Sequence, residues 1–100
     1  MKTAQTIYDI LNQEIKEPDF DILIVMHCQK LKIKKFFQLL EKMKNKDPEF
    51  ERTFGERSKR EILEICAEKL IDFNRISFSK ELKDKLDLHE AISTLPVFES

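Results

Sequence analysis

One glycine, Gly55, serves a chain of 100 residues. All-β sandwiches and barrels need many tight turns, and such turns draw on glycine, asparagine and proline. Doubly wound α/β folds spend glycine at their phosphate-binding turns. With one glycine and three prolines, neither architecture is well supplied. Helices packed on helices are the simplest solution, and the sequence predicts an all-α fold. The length suits a single helical domain spanning 1–100, a compact bundle of about five or six short helices.

Apolar residues at 41% are enough for one core, and charged residues at 37% solvate the rest. Eight phenylalanines stand against one tyrosine. Phenylalanine has no polar handle, so most of these rings are expected inside.

Ile7, Ile10, Leu11 and Ile15 recur at helical spacing and predict a helix from about Ala4 to Lys16, stopped ahead of Pro18. The run from Phe20 to Cys28 is compatible with a buried strand or a buried helix. Helix is favoured, because no second strand is visible to satisfy its backbone. Ile33, Phe36, Phe37, Leu40 and Met43 line one face of a helix from Leu31 to Lys44. Their stripe is out of phase with the preceding one, which predicts a break near Gln29 to Lys32.

Asp47-Pro48 reads as a cap and first helical position of a short turn that Gly55 ends. Ser58 and Glu61 have the spacing of a capping box, ahead of Ile62, Leu63, Cys66, Leu70 and Phe73 on one face. Asn74 is the expected stop. Ser79 is expected to cap Lys80 to Lys85, and Asp87 with Glu90 to open another short helix that Pro96 ends. No internal repeat is evident.

Ile76 through Leu82, then Leu86-Asp87-Leu88 to Ile92 and Leu95, with Glu61 to Phe73 as support, resembles the tripartite helix-turn-helix core of winged-helix and related DNA-binding domains. The resemblance covers about the last 40 residues and implies nucleic-acid binding. Lys83 and Asp87 depart from it, standing where a small residue and a turn glycine are usual. The segment His89 to Thr94, in the place of the recognition helix, has no lysine or arginine to neutralise phosphate.

Net charge is −1, yet Lys30, Lys32, Lys34, Lys35, Lys42, Lys44 and Lys46 face one acid, Glu41, over the same stretch. This basic stripe is a candidate contact for nucleic acid or for an acidic partner. Arg57, Lys59 and Arg60 form a second small cluster. Phe36 and Phe37 would be stacking platforms if exposed, but their helical spacing assigns them to the core.

Cys28, Cys66, His27 and His89 are too scattered for a zinc signature, which needs close pairs. No phosphate-cradling loop fits around a lone glycine. No metal or other cofactor is expected, and an enzyme is the least supported class. The longest apolar run, Ile22 to Met26, is far short of a membrane span. With no apolar leader after Met1, the expectation is a cytoplasmic protein with free thiols.

The reading that remains is a non-enzymatic protein–protein interaction module: an adaptor, a chaperone, or a small inhibitor or immunity-type protein. Phe50, Phe54, Phe78 and Phe98, near predicted helix ends, are candidate apolar contacts for a protein partner, and a homodimer is one way to cover them. Nucleic-acid binding through the lysine stripe or the C-terminal helices is the alternative.

Overall fold

Three helices of this protein stop in the same unusual way. In the computed structural model, which describes residues 7–94, these are α2 (Ile22–Lys30), α3 (Phe36–Lys44) and α5 (Glu56–Glu68). The residue one beyond each C-cap, Lys32, Lys46 or Leu70, has a left-handed backbone with φ of 60°, 53° or 61°. Its amide donates to the carbonyl of Gln29, Met43 or Ala67, at 3.2, 3.3 and 3.1 Å. The next amide reaches one residue further back: Ile33 to Cys28 at 2.8 Å, Asp47 to Lys42 at 3.1 Å and Ile71 to Cys66 at 2.8 Å. This double closure is the Schellman motif, and its left-handed position is usually glycine. Here it carries lysine, lysine and leucine. Gly55 stands elsewhere, as the N-cap of α5, with an ordinary φ of −79°.

The stops set the topology. Each returns the chain sharply, and in two of them the next residue, Ile33 or Ile71, drops into the core. After Ile33 the backbone runs extended. Ile15 donates to the Lys34 carbonyl and Phe36 to the Gln13 carbonyl, both at 3.0 Å. This bridge explains why α1 (Ile7–Leu11) ends short of the expected Lys16, and why α3 starts at Phe36 rather than Leu31. Residues 13–15 and 34–36 are engaged with each other instead of continuing their helices. The ambiguous segment is helix α2, with Asp21 as its cap: the Asp21 side chain accepts from the Leu23 amide at 3.1 Å. The break near Gln29 to Lys32 is the first of the three stops.

Asp47 is at once the end of one stop and the cap of α4 (Pro48–Thr53), its side chain accepting from Glu49 and Phe50 amides at 3.0 and 3.2 Å. α5 begins at Glu56, so the expected capping box at Ser58 does not form; Ser58 lies buried inside the first turn. The helix also ends at Glu68 rather than near Asn74. Leu70 is therefore not on the core face: in its left-handed position it is 92% exposed.

The last helix corrects the sequence reading most. α6 (Lys80–Thr94) is one continuous helix with no turn at Asp87. Among the described residues the helix-turn-helix arrangement is absent. Ser79 caps α6 as expected, its hydroxyl accepting from the Leu82 amide at 3.2 Å. Asp87 and Glu90 have capping-box spacing but sit mid-helix, because that spacing permits a start without breaking a helix already under way.

α6 packs on α1, and its Leu86 is fully buried in the core. The Asn12 amide donates to the Leu86 carbonyl at 2.9 Å, and Asp9 meets His89 Nε2 at 2.5 Å beneath the Tyr8 ring. Lys35 pairs with Glu90 and Glu41 with Lys83. All six helices contribute to one core, including Leu11, Ile24, Phe36, Phe50, Ile62 and Leu86.

Leu70→Gly is expected to raise stability by about 1 kcal/mol, since it relieves a left-handed bulky residue and loses little packing. Gly55→Ser adds a few tenths, because nothing lies within 4 Å of a Cβ there and serine is the better cap. In urea titrations of all these variants Leu86→Ala costs about 3 kcal/mol, whereas Leu88→Ala, on the exposed side of α6, stays within about 0.5 kcal/mol.

Candidate interaction surface

The phenylalanines proposed as partner contacts are mostly interior. Phe50 and Phe54, four apart on one side of α4 and its cap, stack at 4.3 Å between centroids, and Phe54 takes the edge of His27 at 5.2 Å. Both are fully buried, which corrects their assignment as contacts. Phe20 is also buried, its ring 5.5 Å from Phe36. Phe36 is fully buried and no stacking platform; Phe37 is half-buried against the core. Phe78 is half-buried against the same core. Phe98 lies outside the described residues.

The lysine stripe is not one face. Lys35 is spent on Glu90, and Lys42 lies 3.7 Å from Asp47. Lys44 donates to the carbonyls of Phe73 and Asn74 at 2.9 and 3.2 Å and sits 5.4 Å above the Phe73 ring. It is a clamp on the chain after α5 rather than a free cation. Lys46 reaches a separate cavity of about 430 Å³, shared with Lys59 and Arg60. The stripe and the second basic cluster do meet there, but Glu51 and Glu56 line the same cavity. Lys59 pairs with both acids, and the hydrogen bond to Glu51 above all holds its ammonium above the usual lysine value. Arg57 lies 3.7 Å from Glu61. Lys30, Lys32 and Lys34 remain exposed at the corner between α2 and α3.

The thiols are interior too. Cys28 and Cys66 are both buried and free. Burial raises the Cys28 thiol from 9.0 to about 12 and that of Cys66 to about 11. At neutral pH both are protonated and shielded, the opposite of an activated nucleophile. Among the described residues no three of His, Cys, Asp and Glu gather as metal donors.

What the sequence reading missed is the outer face of α2. Ile22, Leu23 and Met26 are 54%, 47% and 56% exposed. At about 100° per residue they fall within one arc of the helix, with Gln29 and Lys30 continuing it. The opposite arc, Ile24, Val25 and Cys28, is in the core. A helix apolar all round is expected to be covered all round. Among the described residues α2 is covered on one side only, and its outer side is a contiguous apolar patch framed by charge. The available signal was the unbroken apolar run from Ile22 to Met26, too rich for a helix with a solvated side.

Compared with protein-family models, with curated proteins and with solved structures, the chain matches none. No helix among the described residues is long and apolar enough to cross a membrane.

The buried thiols yield a prediction. A thiol reagent at neutral pH is expected to label neither cysteine in the folded protein and both after denaturation. In alkali the sign is fixed by linkage: the folded state holds these protons more tightly than the unfolded state. Their contribution to stability is intact below pH 9.0 and is lost as pH climbs toward about 11 and about 12. Rapid labelling of the native protein at neutral pH would contradict the burial.

Proposed function

We propose that this chain is a non-enzymatic protein-interaction module of the cytoplasm, an adaptor, assembly chaperone or small inhibitor that docks through the outer face of α2. The observation that carries this reading is the exposure of Ile22, Leu23 and Met26 on a helix whose other side is core. Three adjacent half-exposed apolar side chains amount to a patch of about 300 Å², within the range of the largest patch on a typical monomer, which is often functional. Large apolar side chains flanked by charged residues have the composition of a protein interface core with a polar rim.

The other features support a binding role over chemistry. The cysteines are protonated inside the core. Three of the seven lysines of the stripe are committed to holding the fold: Lys35 fastens α6, Lys44 fastens the chain after α5, and Lys42 sits against the cap of α4. A nucleic-acid surface would keep those cations free to displace counterions.

The test is capture from native lysate with the tagged full chain, treated or untreated with nuclease, alongside Met26→Lys. Circular dichroism first establishes that the exposed substitution leaves the helices intact. One or a few proteins are expected to be retained through nuclease treatment and moderate salt and to be lost with Met26→Lys. Capture that disappears with nuclease, or that Met26→Lys leaves unchanged, would overturn the proposal.

A further inference from the structure

Two helices of this protein share one plan, and only one has a solvated outer face. Aligning Ile24, Cys28 and Ile33 with Ile62, Cys66 and Ile71 brings the stops of α2 and α5 into register. All six side chains are buried, both backbone closures are 2.8 Å long, and both left-handed residues are exposed. In that register Arg60, Glu61 and Glu64 of α5 occupy the places of Ile22, Leu23 and Met26 in α2. The same position in the same local structure is charged in one helix and apolar in the other. The fold itself therefore does not require apolar residues there.

We infer that the outer face of α2 pairs antiparallel with the same face of a second copy of this chain, about a two-fold axis. The distribution of charge along α2 selects this occupant and orientation. Glu17, Asp19 and Asp21 are exposed at its N-terminal approach, and Lys30, Lys32 and Lys34 at its C-terminal exit. None of these three lysines forms an ion pair among the described residues. Asp19 and Lys30 are equally far, in opposite directions, from the midpoint between Leu23 and Met26. An antiparallel pair centred on Leu23 and Met26 brings the acidic approach of each copy, with Asp19 in the turn before α2, toward the basic exit of the other, twice. A parallel pair would set acid on acid and base on base. An isologous interface is self-complementary by construction, and one helix with an apolar middle and opposite charges at its ends meets that condition alone.

The patch is smaller than the roughly 800 Å² per partner of a standard interface. The dimer is accordingly concentration-dependent rather than obligate, with the folded monomer as its dissociated form. This inference rests on the reading of α2 as an interaction face and names its partner.

Sedimentation equilibrium of the full chain over a concentration series reaching the millimolar range tests it. A reversible monomer–dimer equilibrium is expected, and Met26→Glu is expected to weaken it on the order of tenfold or more. Asp19→Lys and Lys30→Asp should each weaken self-association several-fold, by about three- to tenfold. An equimolar mixture of the two should recover wild-type affinity, because every rim contact is then an opposite-charge pair. Asp19 also accepts a hydrogen bond from Gln13 at 3.0 Å. If circular dichroism shows that the loop depends on that bond, Glu17→Lys and Lys32→Glu replace the two variants, since by residue count Glu17 and Lys32 are the next opposed pair. A wild-type chain that stays monomeric, a dimer indifferent to Met26→Glu, or a mixture no tighter than either single variant would overturn the pairing. A monomeric chain whose foreign partner is still lost with Met26→Lys would refute the dimer and leave the interaction module standing.

Discussion

The bond from the Ile33 amide to the Cys28 carbonyl, and its twin from Ile71 to Cys66, set where the chain reverses. Each closes a helix through a left-handed residue that is not glycine. A left-handed lysine or leucine costs about 1–2 kcal/mol. Burying the isoleucine that follows contributes about 1.5–3 kcal/mol, and two otherwise unpaired carbonyls are satisfied as well. The balance favours the turn, narrowly, at a position glycine would fill without strain. α1, α3 and the bridge between them are placed by the first of these stops, and the chain leading to α6 by the second. At the second, Lys44 adds a grip on the carbonyls of Phe73 and Asn74.

Charge in this protein is structural in some places and unspent in others. Around α6, Asp9, Lys35 and Glu41 meet His89, Glu90 and Lys83, so a helix anchored by one buried leucine is held in register by polar contacts around it. Around the α4–α5 corner, Lys59 answers Glu51 and Glu56. At α2 the opposite charges at the two ends are separated by the helix itself and have no counterpart across it. A nearly neutral chain thus carries a face that is apolar in the middle and polarised along its length. That is the physical basis for assigning α2 a partner.

The all-α fold was legible because the evidence for it is compositional: one glycine and too few turn residues for sheets. Helical stripes located α1, α3 and α5, the lack of a strand partner favoured helix for α2, and Asp47-Pro48 and Ser79 gave two true starts. The boundaries were lost where long-range pairing overrides local preference. Nothing in Gln13 to Ile15 announces that it will leave the helix to meet Lys34 to Phe36. The stops were invisible because a left-handed Lys32, Lys46 or Leu70 carries no sequence mark, whereas a glycine would have. That error moved Leu70 from surface to core and ran α5 too far. The false turn at Asp87 came from reading a permissive capping pattern as an instruction. The relation between α2 and α5 rests on three identities, Ile, Cys and Ile, and becomes visible only once backbone and burial are compared. Phenylalanines near predicted helix ends look like partner contacts in the sequence, yet Phe50 and Phe54 are core. The aliphatic run of α2 reads as core in the sequence, and its outward half is visible only in the structure.

The central claim, that α2 pairs through its outer face with a second copy of this chain, is tested most directly by amide chemical shifts followed through dilution of the isotope-labelled chain. The account predicts concentration-dependent shifts confined to the acidic approach, α2 and the basic exit, from Glu17 through Lys34, with α6 and α5 unmoved. Shifts that ignore α2 and gather on the Lys46, Lys59 and Arg60 cavity or on the exposed side of α6, or a spectrum unchanged at every concentration, would contradict it.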